Sequence, residues 1–87
     1  MNNRKFLELI LGGRSDNNVD FSNLCRLVAS LGFNTCRQKG SHHIFAHPAI
    51  PEIINLQPRG HQAKPYQVKQ VRSLILRYNL SLSEHAD

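Results

Sequence analysis

The stretch Arg37-Gln38-Lys39-Gly40-Ser41-His42-His43 concentrates groups capable of chemistry. It joins two cations, a flexible turn, a hydroxyl and two adjacent imidazoles. Gly40 lets the backbone turn tightly or approach a phosphate closely. Histidine is the side chain suited to proton transfer near neutral pH, with an unperturbed pKa of about 6.5. The same segment has plainer readings. A histidine after a Gly-Ser turn can simply hydrogen-bond that turn. Histidines at 42, 43 and 47 also raise the question of a metal. On a strand, however, 42 and 43 diverge, and 43 and 47 share a face too far apart for easy chelation. With no Cys or carboxylate nearby to complete a zinc set, no metal and no other cofactor is expected. Ser41 beside His42 is not a triad, because strand neighbours point apart. Glu52 is the only nearby acid and has no defined geometry. His61 reads as a solvated or nucleic-acid contact, and His85 receives no role.

Positioning these groups requires elements that the pattern supplies. Phe6, Leu7, Ile10 and Leu11 share a face of a short helix over residues 3–11, with Gly12 as its stop. GGRSDNNV, residues 12–19, is a loop by composition. Asp20 caps a second helix carrying Leu24, Leu27, Val28 and Leu31, which Gly32 ends. Three strands follow: Phe33 to Gln38, His42 to His47 closed by Pro48, and Ile53 to Gln57 closed by Pro58. Arg59 to Lys64 reads as a basic, flexible loop. Pro65 opens a last helix with the apolar stripe Val68, Val71, Ile75 and Tyr78, Leu74 beside it, and Lys69 and Arg72 on another flank. The tail after Leu80 is polar and expected to fray. Short turns between strands give an antiparallel meander. Two helices on one face bury it and leave the other for solvent or a ligand. Alternation puts His42, Ile44 and Ala46 on one face and His43, Phe45 and His47 on the other. Each face mixes polar and apolar residues, so either histidine remains a candidate for the open side.

Composition bounds the function. An 87-residue chain makes one domain with a modest core. Eleven Lys and Arg against six Asp and Glu give a net charge of +5, which favours polyanionic partners. No stretch approaches the roughly 18–20 apolar residues of a membrane span, so no membrane partner is expected. Residues 1–12 have no small-residue cleavage site, and Glu8 interrupts their apolar run, so they are not read as a signal peptide. Cys25 and Cys36 make neither a disulfide framework nor a metal spacing. Cys25 falls in the second helical pattern, as a core residue. A cytoplasmic location is expected by default.

The ordered run LVASLGF, RQKGSHHIFAHP, INLQP and AKPYQVKQVR, spread over roughly residues 20–80, resembles the HicA toxins. The most specific part is Gly40-Ser41-His42 after a basic strand, followed by His43-Ile44-Phe45 and His47-Pro48. The Leu31-Gly32-Phe33 junction and the helix from Lys64 to Leu80 add to it. The resemblance implies an α+β fold like that of double-stranded-RNA-binding domains, a three-stranded antiparallel sheet with helices on one face. Residues 1–19 would be an added N-terminal helix and loop, and 81–87 a tail. It implies a type II toxin–antitoxin system, in which this chain is an mRNA-cleaving endoribonuclease held silent by a HicB-like antitoxin. The family's catalytic histidine, in its G-[SG]-H motif, falls on His42. Many members also carry a histidine near the end of the third strand, where this chain has Asn55-Leu56-Gln57-Pro58, so no second histidine role carries over.

One histidine can serve, because RNA supplies its own nucleophile, the 2′-hydroxyl. The enzyme need only move a proton or neutralise phosphate charge, with no metal. Arg37, Lys39, Gly40, Ser41, Arg59 and Lys64 are the candidate RNA contacts, reading shape through phosphates and ribose hydroxyls. A noncatalytic RNA-binding module of the same fold is the alternative, and a domain binding an acidic protein partner is a third class.

Overall fold

A computed structural model describes residues 2–83. Helix α1, Asn3–Gly12, starts where the Asn2 side chain accepts the Lys5 amide and stops at Gly13, not Gly12. Gly13 takes φ 69° and returns its N–H to the Ile10 carbonyl, the left-handed cap that glycine adopts without strain. Phe6 and Ile10 are buried, whereas Leu11 lies outside the expected apolar face at 39% exposure. A 3-10 turn at Asp16–Asn18 interrupts the loop. Helix α2, Phe21–Ser30, begins as expected, with the Asp20 carboxylate accepting the Asn23 amide at 2.9 Å. Leu24, Leu27 and Val28 are fully buried.

Strands β1 (Asn34–Lys39), β2 (His42–Ala46) and β3 (Ile53–Leu56) form an antiparallel sheet in the order β1-β2-β3. Together with the helices they make the α+β, double-stranded-RNA-binding-like architecture. Between β1 and β2 the two-residue turn Gly40-Ser41 brings Lys39 opposite His42. Gly40 has φ 58°, and glycine in that first position matches the strand twist. A bulge at Cys36 separates the Thr35 and Arg37 pairings. The face carrying Phe45, Ile54 and Leu56 is buried against the helices. The opposite face carries His42, Asn55 and Ile53, all exposed.

The segment read as a flexible loop is ordered. Pro58–Arg59 (β4) and Gln62–Ala63 (β5) pair as a hairpin around Gly60-His61. Pro58 does not close β3 but opens this hairpin. The hairpin is held because the Ala63 amide donates to the Val19 carbonyl at 2.8 Å and the Phe21 amide to the His61 carbonyl at 2.9 Å. Ala63, 2% exposed, anchors it to the core.

Helix α3, Pro65–Tyr78, buries Val68, Val71, Leu74 and Ile75. It also buries Gln67, at 1% exposure. The Gln67 Nε2 donates to the Asn55 carbonyl at 3.3 Å, and its Oε1 accepts the Gln57 amide at 3.2 Å. Those two backbone groups belong to the free edge of the sheet, so one side chain of α3 stands in for a missing strand. After Asn79 caps α3, Leu80 and Leu82 pack on the core, and the Ser83 amide donates to the Ser30 carbonyl. The chain is therefore held as far as Ser83. The rest of the expected fraying tail, with His85, lies outside the described residues. Among these residues no helix is long and apolar enough to cross a membrane.

Arg72 ties the N-terminal segment to α3. Its guanidinium meets the Asp16 carboxylate at 2.9 and 3.0 Å and the Ile10 carbonyl at 3.1 Å. It thus neutralises the 3-10 turn and caps the negative end of α1.

Two outcomes are expected from these ties. The hydrogen bond from Arg72 outweighs burial, which pushes the other way, and holds the Asp16 carboxyl below its ordinary value of 3.8. Because the folded value is depressed, this contribution is full above pH 3.8 and is lost as pH falls through the lower folded value. Asp16→Asn should therefore cost stability at pH 7, about 2 kcal/mol, and cost less towards pH 3. Urea titrations at both pH values check this. Gln67→Leu should cost about 2–4 kcal/mol, because it orphans a carbonyl and an amide at the edge of β3. It should also speed hydrogen exchange at the Gln57 amide more than at amides within α2.

Candidate active site

The turn at Gly40-Ser41 fixes where β2 begins, and strand alternation does the rest. Lys39 pairs with His42, Arg37 with Ile44, and Ile44 with Asn55. Paired residues share a face, so Arg37, Lys39, His42 and Asn55 all stand on the open side. His43 pairs with Leu56 and turns inward, its ring edge-on to Phe21 at 5.2 Å. The choice that period alone left open thus falls to His42.

His47 has left the strand, which ends at Ala46. Its ring meets Phe33 edge-on at 5.0 Å, and its Nδ1 accepts the Ala49 amide at 3.0 Å. A Cβ at Gly32, where φ is 101°, would come within 2.8 Å of His47 Nε2. Gly32 is therefore required both by its backbone angle and by the ring against it. His43 and His47 pack edge-on against different aromatic rings, Phe21 and Phe33. Among the described residues no group of three or more His, Cys, Asp or Glu side chains is placed to hold a metal ion.

The partner of His42 is Asn55, whose Oδ1 lies 3.3 Å from Nδ1. A carboxamide oxygen there suits an Nδ1–H donor, which leaves Nε2 as the nitrogen with a lone pair. Beside them is a cleft of about 210 Å³, lined by His42, Asn55, Gln57, Tyr66, Gln67 and Gln70. Two walls come from the end of β3 and the start of α3, and Gln67 holds them together.

The other basic candidates divide. Gly40 and Ser41 form the exposed turn leading into His42. Lys64 reaches the rim of the cleft, where its Nζ donates to Gln57 Oε1 at 3.2 Å. Arg59 is exposed on the β4–β5 hairpin, outside the cleft lining. The sequence reading missed Asn55, Gln57, Tyr66 and Gln70 as site residues. Tyr66 offered one signal: it is an aromatic residue outside the apolar stripe of its helix.

Other reactive groups are committed elsewhere. The Glu52 carboxylate accepts from the Tyr78 hydroxyl at 2.6 and 2.7 Å and from Arg77 at 2.9 Å. The Tyr78 hydroxyl, ahead of Arg77, holds this carboxyl below the usual value. Cys25 is half-buried, and burial pushes its thiol up to about 11, so it stays protonated. It shares a larger groove of about 350 Å³ with Phe21, Thr35, His43 and Phe45, on the inward side of the sheet and away from His42.

A family described as HicA toxin of bacterial toxin-antitoxin matches residues 21–77, well over half of the chain. No curated protein and no solved structure matches. The match begins at the first residue of α2 and runs almost to the end of α3, so it takes in the whole sheet and every residue of the cleft. The chain belongs to the HicA toxin family of bacterial toxin–antitoxin systems.

Proposed function

We propose that this toxin is an endoribonuclease that cleaves mRNA, with His42 as the proton-transfer group. The observation that carries this reading is the His42–Asn55 pair on an open, basic sheet face beside a cleft. Asn55 holds Nδ1–H, and Nε2 takes the proton of the ribose 2′-hydroxyl. The 2′ oxygen attacks the adjacent phosphorus and the bond from phosphorus to the 5′ oxygen breaks. That oxygen leaves with a proton from water. The products are a 2′,3′-cyclic phosphate and a 5′-hydroxyl. Lys39 stands opposite His42 and Arg37 on the same face, where both neutralise phosphate charge. Gly40 and Ser41 let the backbone come close to the same strand of RNA. Lys64 and Arg59 extend the basic surface toward the hairpin.

His42→Ala should leave the fold intact and lower cleavage by about 10²–10⁴-fold. His43→Ala should act mainly on stability, through its packing on Phe21. Asn55 is a positioning residue, so Asn55→Ala should cost roughly 10- to 100-fold in rate. Asn55→Asp should restore much of that rate and move the rising limb of the pH–rate profile to higher pH, since a carboxylate favours the imidazolium. Unchanged pH profiles in both Asn55 variants would reject this role. A 2′-deoxy residue at the scissile position should block cleavage, which should persist in chelator. RNA binding without any cleavage by the wild-type protein would reduce His42 to a noncatalytic contact.

Membership of the family brings a cognate antitoxin. A HicB-like protein lying over the open face would cover His42, and the charges at Arg37, Lys39, Arg59 and Lys64 would speed its association through an acidic surface. Titrating purified antitoxin should end cleavage and RNA binding together at stoichiometry. A complex that still binds RNA without cutting it would place inhibition in the catalytic geometry rather than in occlusion.

A further inference from the structure

Tyr66 is one of the exposed large hydrophobic side chains among the described residues, at 62%. It stands on the second residue of α3, and Gln70 stands one helical turn further on. Residues four apart on a helix are neighbours on one face. Both line the cleft beside His42, with Asn55, Gln57 and Gln67 as its remaining polar groups. Besides the His42 imidazole, the wall is thus one phenol ring and four carboxamides. It holds no carboxylate and no guanidinium.

The carboxamides are not equivalent. Gln67 is occupied by the backbone of β3 and Asn55 by His42. Gln57 gives its Oε1 to Lys64 and keeps its NH₂ group. Gln70 has no hydrogen-bond partner among the described residues and presents both a donor and an acceptor.

We propose that this cleft is a nucleobase subsite that takes an unstacked adenine of single-stranded RNA. The ring of Tyr66 stacks on the base, and Gln70, with Gln57, reads its edge. This rests on the reading that RNA is drawn to His42, and it adds which base lies next to the reacting phosphate. Splayed bases stack on exposed aromatic side chains, and that stacking accepts any base. Choice comes from the edge. Adenine offers an amino donor beside a ring-nitrogen acceptor, the complement of a carboxamide. Guanine is read by arginine or lysine, and the exocyclic amine of cytosine by carboxylates. The lining contains neither. Lys64 at the rim and Lys39 opposite His42 hold the flanking phosphates.

The test uses the full chain with His42→Ala, so that bound RNA is not cut. Fluorescently labelled hexamers of oligo(A), oligo(C) and oligo(U) are titrated at fixed salt. Oligo(A) should bind tightest. Adding Tyr66→Ala should weaken oligo(A) roughly 5- to 100-fold, while Tyr66→Phe keeps the affinity. Adding Gln70→Leu should leave stacking but bring oligo(A) within about twofold of oligo(U). Both side chains are exposed, and matching melting curves confirm that the variants fold. Equal affinity for the three hexamers, no binding, or an unchanged profile in Tyr66→Ala overturns the subsite.

The two readings fail separately. A wild-type chain that prefers oligo(A) through Tyr66 but never cuts RNA keeps the subsite and loses the His42 mechanism. One that cuts RNA with a base profile indifferent to Tyr66→Ala and Gln70→Leu keeps the mechanism and loses the subsite.

Discussion

A buried carboxamide joins the last helix to the sheet. Gln67 is 1% exposed and meets the backbone of β3 through both its oxygen and its nitrogen. An apolar residue there would leave the Asn55 carbonyl and the Gln57 amide at the sheet edge without partners. A buried polar group with every bond made fixes geometry in a way that apolar contact does not. Here the geometry fixed is the separation between α3 and the end of β3. That gap is the cleft, and His42 lies along it.

The N-terminal segment is a separate attachment to the same helix. Family similarity begins at Phe21, so α1 and the 3-10 turn precede it. Their polar connection to α3 is Arg72, with Asp16 and the Ile10 carbonyl as its partners. The added helix also covers core surface through Phe6 and Ile10. A small domain buries a low fraction of its surface, and the added helix enlarges the core by packing on α2 as well as on α3, with the Asn3 side-chain amide donating to the Ser30 hydroxyl at the end of α2.

Helices and strands were legible in the sequence because their signals are local. The Asp20 cap, the turn read at Lys39-Gly40-Ser41, Pro65 and the apolar stripes each act within a few residues, although Lys39 itself belongs to β1. What was not legible depends on partners distant in the chain. The segment 58–63 has the composition of a flexible loop, yet Val19 and Phe21 hold it as a hairpin through two backbone hydrogen bonds. Gln67 stands at helical spacing from the buried Val71, Leu74 and Ile75, but a carboxamide at that place reads as a surface residue until the sheet edge it bonds is known. Asn55 was visible only as the absence of a histidine. The packing role of His47 needs Gly32 and Phe33, which lie 15 and 14 positions earlier.

The same distinction explains why one histidine of three is available for chemistry. Strand period separates His42 from His43 but does not say which faces outward. The register does, and a shift of one residue would exchange them. Register is set on one side by the two-residue turn that pairs Lys39 with His42. On the other it is set by β3, where Phe45 must meet Ile54 and His43 must meet Leu56 inside the core. Burying Phe45, Ile54 and Leu56 on one face leaves Ile44 and Asn55 paired on the other, and that pairing brings the Asn55 oxygen to His42. The apolar core thus selects the exposed imidazole and its hydrogen-bond partner together. Substitutions in the core that loosen the register would therefore disperse the site before they abolish the fold.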